Sequence, residues 1–171
     1  VFITPLIFLA HDVSSVEFQR LFTWQMRFGG SLAILPVGVA VLIGMILADQ
    51  QSDDWARPCR AALLASLLLF GAGGLIGFVI QGSDVRIPAH YHGSIVGITL
   101  ALMGLTYALL PRLGHTRSLP RVASWQPWLY GGGQLLHILG LMWSGGYGVQ
   151  RKVSGAEQVL RTPSEIAGMG L

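Results

Sequence analysis

The sequence predicts an all-α membrane protein, a polytopic bundle of transmembrane helices. Three observations carry that reading. Of the 171 residues, 52% are apolar and only 11% are charged, where soluble domains carry roughly a quarter. Mean hydropathy is +0.58. The few charges also fall into short clusters. They leave four charge-free stretches, 28–48, 61–83, 87–111 and 122–150, each long enough to cross a bilayer as a helix.

Residues 1–10 are apolar but too short to span, and read as the last turns of a preceding helix. His11 to Arg27 is amphipathic. Ser14 with Glu17 three residues later fits a capping box, and Val16, Leu21, Phe22 and Trp24 supply apolar contacts, so this is expected to be an interfacial segment. The first full span is 28–48, kinked at Pro36. The loop 49–60 holds Asp53, Asp54, Arg57 and Pro58 and takes in Cys59, the single cysteine. One cysteine excludes an internal disulfide and any cysteine-rich metal site.

The second span is 61–83, with Gly73 and Gly77 giving it a small-xxx-small face for close helix contact. A short turn, 84–88, makes the third span, 89–110, its antiparallel neighbour. That span ends at Pro111, and the loop Arg112 to Arg121 carries three Arg. The fourth span is expected at 127–147, where Gly131 to Gly133 would allow tight packing against a neighbour or a flat ligand. The tail 151–171 is polar, with Glu157, Arg161 and Glu165. The expected domain organisation is one membrane domain, 1–171. The apolar start without a basic leader and the apolar end at Ile166 to Leu171 make both ends read as cut, so a piece of a larger membrane protein is expected.

The net charge of +3 rests on eleven Lys and Arg spread over several of these clusters, with no basic block for nucleic acid. Six of the bases fall in the loops on one expected side (11–27, 84–88, 151–171) and five on the other. The positive-inside rule therefore gives no orientation.

The chemistry concentrates in Arg86-Ile-Pro-Ala-His90-Tyr91-His92-Gly93. An α-helix turns about 100° per residue, so positions two apart point about 200° apart. His90 and His92 therefore leave the third span in nearly opposite directions and do not suit one small ion. The plain alternative is a wet pair of imidazoles at the membrane interface. Intramembrane ionisable residues are more often functional, and imidazole suits iron, copper and zinc. Two flat cofactors flanking the helix, each with an iron held by one imidazole, fit the opposed directions.

Arg151 and Lys152 follow the fourth span, on the side where His90 and His92 begin the third. They either anchor the helix end at the headgroups or meet the propionates of a haem, with Asp84 and Arg86 in the same network. His137 is mid-span, either a ligand or a buried imidazole bonded to a neighbouring helix. His11 and His115 are expected to be solvated, and Met26, Met45, Met103 and Met142 to pack or face lipid. There is no Gly-rich phosphate loop, no Ser-His-Asp grouping and no CxxC. Ser31 to Ala48 contains no Lys, Thr, Tyr, Glu or Asp to relay protons.

Ala89-His90-Tyr91-His92-Gly93, followed by a span ending Tyr107-Ala-Leu-Leu-Pro-Arg112, resembles the tenth helix of the heme-copper oxidase catalytic subunit. The b-type variants, the C-type cytochrome c oxidases and the nitric oxide reductases, are the most similar. Gly132 to Trp143, continued by Ser-Gly-Gly-Tyr-Gly-Val-Gln-Arg151-Lys152, resembles its eleventh helix and the basic pair that follows. The resemblance implies that the chain covers about helices seven to eleven of a twelve-helix subunit, in a bacterial inner membrane. It implies two b-type haems, with His90 the axial ligand of the high-spin haem and His92 of the low-spin haem. Arg151 and Lys152, and more weakly Asp84 and Arg86, would hold propionates; Lys152 stands where the family usually has a second Arg. Catalytic residues beyond the haem ligands, and the copper ligands of the parent subunit, would lie outside this chain. The implied partners are the rest of the catalytic subunit, a cytochrome c-type or copper electron-donor subunit, and lipid. The implied activity is terminal reduction of oxygen or nitric oxide, with the fragment alone inactive. A non-catalytic haem-binding or assembly subunit without the copper site is the alternative, and a metal transporter using His90 and His92 a weaker one.

Overall fold

The structure, a computed structural model, describes residues 3–48, 54–116, 119–154, 157–158, 163 and 166. Asp53, Arg117, Arg161 and Glu165 lie outside the described residues. Two compact units follow one another along the chain, Val1–Ala48 and Asp49–Leu171. The described residues are helical apart from turns and one isolated pairing of extended residues.

In the first unit, α1 (Ile3–Ala10) is followed by α2 (Val16–Trp24), a wider π segment (Gln25–Gly30) and α3 (Ser31–Leu47). The last three run on as one helix, Val16–Leu47, so the expected division between an interfacial segment and a span at residue 28 is not present. The widening ends at Gly29 and Gly30, where departure from α geometry costs least because glycine already has the lowest propensity short of proline. The start of α2 lies one residue later than the capping box implied. Ser15 is the N-cap, its hydroxyl accepting the Phe18 amide at 3.1 Å, while Ser14 bonds back to Asp12. Hydrogen bonds from the Ser14 hydroxyl and amide hold the Asp12 carboxyl below the usual aspartate range. Gln25 reaches α1 by donating to the Thr4 hydroxyl.

In the second unit α4 (Ala56–Phe78), α5 (Arg86–Leu109) and α6 (Pro120–Gly146) pack together, with a 3-10 turn (Leu110–Leu113) closing α5. Their shared core is Ala65, Leu69, Ile76, Ala89, Val96, Leu100 and Ile138. The interface between α4 and α5 is built from small residues. A Cβ on Gly93 would lie 2.7 Å from the Cα of Gly73, and one on Gly97 would lie 2.7 Å from Phe70 Cβ. Backbones this close are how membrane helices associate without a hydrophobic drive. Gly73 and Gly77 do face α5, as their spacing implies. Of the glycine triplet only Gly131 faces a neighbour, Leu100; the positions of Gly132 and Gly133 are open.

Several helix boundaries of the second unit depart from hydropathy. Cys59 lies in the first turn of α4 and not in a loop, donating its thiol to the Gly104 carbonyl at 3.6 Å. α4 stops at Phe78 although Val79 and Ile80 are apolar, and Gly82 takes a left-handed φ of 76° in the turn that follows. α5 begins before Pro88, because the first-turn amides of a helix lack partners anyway and a proline there loses none. The turn before it is therefore 79–85, not 84–88. α6 begins at Pro120, the favoured first position, and carries Pro127 buried within it. Membrane-type helices tolerate an interior proline because neighbours satisfy the freed carbonyl.

Three helices among the described residues are long and apolar enough to cross a membrane: Val16–Leu47, Ala56–Phe78 and Arg86–Leu113. At 23 residues α4 is about 35 Å long, enough for the hydrocarbon core. α6 has the length, but its glycines, Gln134 and His137 dilute its apolar run.

Candidate functional site

His90 and His92 lie in the second turn of α5, and they face different helices. The His90 ring lies against α4, with Nδ1 2.7 Å from the Gly73 carbonyl oxygen. Gly77 makes room for it: a Cβ there would meet Nδ1 and Cε1 at 2.9 Å. The His92 ring has Nδ1 2.8 Å from the Pro88 carbonyl oxygen, one turn back on its own helix. Its other neighbours are Tyr91, with ring centroids 4.6 Å apart, and His137 of α6, with centroids 5.1 Å apart and planes at 85°. A carbonyl oxygen can only accept, so Nδ1 is a protonated nitrogen in each ring, and in the neutral imidazole Nε2 then holds the lone pair. That is the tautomer and the outer hydrogen bond with which a histidine commonly ligates a metal.

His137 does not become the buried, cross-helix hydrogen-bonded imidazole that its position implied. It is exposed, makes no hydrogen bond among the described residues, and meets His92 edge-on. Gln134, one turn earlier on α6, has a buried side-chain oxygen without a partner among the described residues. His11 is half-buried and His115 exposed, both away from these rings in sequence and in element.

The charged candidates gather at the end of the second unit where α5 starts and α6 stops. Asp84 is buried. Its Oδ1 accepts the Arg86 amide at 2.8 Å, as in an Asx turn, and its Oδ2 accepts from Arg86 Nε at 2.8 Å and from Nη2. Arg86 also donates to the Gln81 carbonyl, and its stem crosses α6 at Gly145, where a Cβ would lie 2.6 Å from Cγ. Asp84 and Arg86 thus form an ion pair, with two guanidinium donors on one carboxylate oxygen, that ties the start of α5 to the end of α6.

The segment after α6 returns to the same place. Asp84 pairs with Gln150 as an isolated antiparallel bridge, Val85 donates to the Val149 carbonyl, and Arg151 donates to the Ser83 carbonyl. Arg151 and Lys152 line a cavity of ≈ 400 Å³ with Pro88 and Tyr91, the residues that flank His92. Lys152 holds a φ of 62°, the one non-glycine residue with a positive φ among those described. Gln158 clips this segment: its side chain accepts the Gln150 amide at 2.9 Å and donates to the carbonyls of Gln150 at 2.8 Å and Val153 at 3.2 Å. Nothing in the local sequence marks Gln158, because its role depends on a chain reversal eight residues long. Tyr91 and Gly145 are also new. Tyr91 was legible only as a neighbour of the histidines, and Gly145 only as one glycine among many.

Comparison with known proteins finds relatives that are uncharacterized. No family model matches the chain, and no solved structure matches it. It is similar to the uncharacterized protein RP382 of Rickettsia prowazekii (strain Madrid E), 31% identical over 181 residues, covering 84% of this chain and 35% of that protein. It is also similar to an uncharacterized protein of Aquifex aeolicus (strain VF5), 31% identical over 109 residues, covering 64% of this chain and 26% of that one. The chain thus spans about a third or less of the length of the curated relatives it matches.

Proposed function

We propose that the chain is part of a membrane terminal oxidoreductase of the heme-copper type, passing electrons from a low-spin haem to a high-spin haem and copper centre that reduces oxygen or nitric oxide. The observation that carries the reading is the divergence of two neighbouring imidazoles. His90 is tied to a carbonyl of α4 and His92 to a carbonyl of its own helix, and each keeps Nε2 available. Two ligands for one ion would have to converge; these serve two partners, joined through a single helix.

The donor set fits axial ligation of two haems, which when bound supply one-electron redox chemistry. In this reading His90 holds the high-spin haem and His92 the low-spin haem, with a hydrogen bond orienting each ring. Arg151 and Lys152 present positive charge beside Pro88 and Tyr91, suited to propionate carboxylates. Asp84 and Arg86 act mainly by holding that segment to the start of α5. α6 serves as a fourth span, and the parent protein, its copper ligands and its electron donor, a cytochrome c-type or copper subunit, complete the centre in a bacterial inner membrane.

The test uses the full-length protein purified from membranes. Pyridine haemochrome assay should give two haems per subunit. His92→Ala should abolish the low-spin spectrum and His90→Ala should abolish carbon monoxide binding, each leaving the other signal in place. Spectra unchanged in both variants would sink the ligand assignment.

A further inference from the structure

We infer that His137 is a positioning residue for His92, fixing the plane in which its imidazole presents Nε2; the inference rests on His92 being an axial ligand. The His92 ring is tethered at Nδ1 to the Pro88 carbonyl, and a single hydrogen bond, broad in its angle at the carbonyl oxygen, leaves the ring plane some freedom to swing. The second constraint comes from α6. His137 meets the ring at a centroid distance of 5.1 Å with the planes at 85°, the edge-to-face arrangement that ring quadrupoles favour. Rotation of either ring loses that contact.

The two helices are held rigidly beside this contact. Ile138, the residue after His137, is fully buried, and its Cδ1 would lie 3.3 Å from a Cβ on Gly93, the residue after His92. A core contact between α5 and α6 thus lies one residue along each chain from the imidazole pair, so the pair cannot drift apart without disturbing the core. His137 itself makes no hydrogen bond among the described residues, and an ionisable side chain in an apolar helix needs a reason to be there. Orienting a ligand from outside its coordination sphere is such a reason, since the partners of a ligating histidine set how it meets the metal.

The test is electron paramagnetic resonance of the oxidised full-length protein with its haems bound, for the native protein and for His92→Ala, His137→Ala and His137→Phe. His92→Ala should lose the low-spin signal. His137→Ala should keep it, with its highest g value shifted and its line broadened as the ring plane becomes free. His137→Phe, which restores a flat ring at the position, should return the signal toward native. A native g value and line width in His137→Ala would overturn the inference while leaving His92 as the ligand. A shift in His137→Phe as large as that in His137→Ala would also overturn it, because ring shape would then not be the cause. Loss of the low-spin signal in both His137 variants would make His137 a ligand instead. Retention of that signal in His92→Ala would overturn the inference together with the axial-ligand reading.

Discussion

The imidazole Nδ1 of His90 lies 2.7 Å from the carbonyl oxygen of Gly73, across the interface of α4 and α5. The contact exists because two glycines one turn apart do different things. Gly73 lets the backbones touch, while Gly77 leaves a notch for the ring.

Their alanine variants should therefore fail differently. A Cβ at position 73 would meet Ser94 N at 2.7 Å and Gly93 C at 2.9 Å, both backbone atoms that can move only if the helices part. Gly73→Ala should cost about 1–3 kcal/mol or more and lower the amount of folded protein. At position 77 the obstruction is a side chain, so Gly77→Ala should fold but turn His90 off the Gly73 carbonyl, and carbon monoxide binding should fall. Gly74→Ala, where a Cβ meets nothing within 4 Å, is the control. Equal effects at 74 and 77 would remove the notch from the account.

The end of α6 and the start of α5 should share one face of the membrane. Arg151 donates to the Ser83 carbonyl and Asp84 pairs with Gln150, and both Ser83 and Ser154 are exposed. Cysteines placed at Ser83 and Ser154 should label with an impermeant thiol reagent from the same side of sealed vesicles. Labelling from opposite sides would break the pairing.

How far the sequence reached follows from which signals are local. Charge-free runs located the helices because burial in a bilayer acts on each residue separately, and rotation of 100° per residue was enough to send His90 and His92 apart. The starts and stops were missed because hydropathy carries no such information. Val79 and Ile80 are as apolar as the helix they leave, Pro88 was expected to end a turn and lies in the first turn of α5, and Pro127 was expected to open the fourth span and lies inside α6. The contacts of His92 with His137 and of Gln158 with Gln150 depend on two segments meeting, and neither segment bears a mark of its partner. The α5 glycines Gly93, Gly97 and Gly104 were legible in principle, since they lie on one face at spacings of four and seven that match the small-residue face of α4.

Lys152 should show stability and function pulling in opposite directions. Its φ of 62° costs a residue with a Cβ about 1 kcal/mol, and strain of this kind persists where a side chain is needed. Lys152→Gly should raise the thermal midpoint of the detergent-solubilised protein and lower the haem midpoint potential. Lys152→Gln, which keeps the strain and removes the charge, should lower the potential without raising the thermal midpoint. A raised thermal midpoint with an unchanged potential for Lys152→Gly would mean that the lysine has no electrostatic role.

Arg151 separates a haem clamp from a lipid anchor, and Gln158 tells whether the clamp depends on its mounting. A cation near the iron destabilises the oxidised haem more than the reduced one, because oxidised iron carries one more positive charge. Removing the cation therefore lowers the potential. At an effective dielectric near 20, a unit charge roughly 10 Å from iron contributes on the order of 1–2 kcal/mol, several tens of millivolts for one electron. Arg151→Gln should lower one or both potentials by that amount. An arginine that only reached the headgroups would leave them nearly where they were. Gln158→Ala keeps both cations but removes the three hydrogen bonds that clip Gln150 and Val153. It should lower the potentials by a smaller amount and make the segment after α6 easier to cut with protease. Redox titration of the two variants side by side decides the matter. A full shift in Arg151→Gln with none in Gln158→Ala would keep the clamp and discard the clip. No shift in either would return Arg151 to the headgroups.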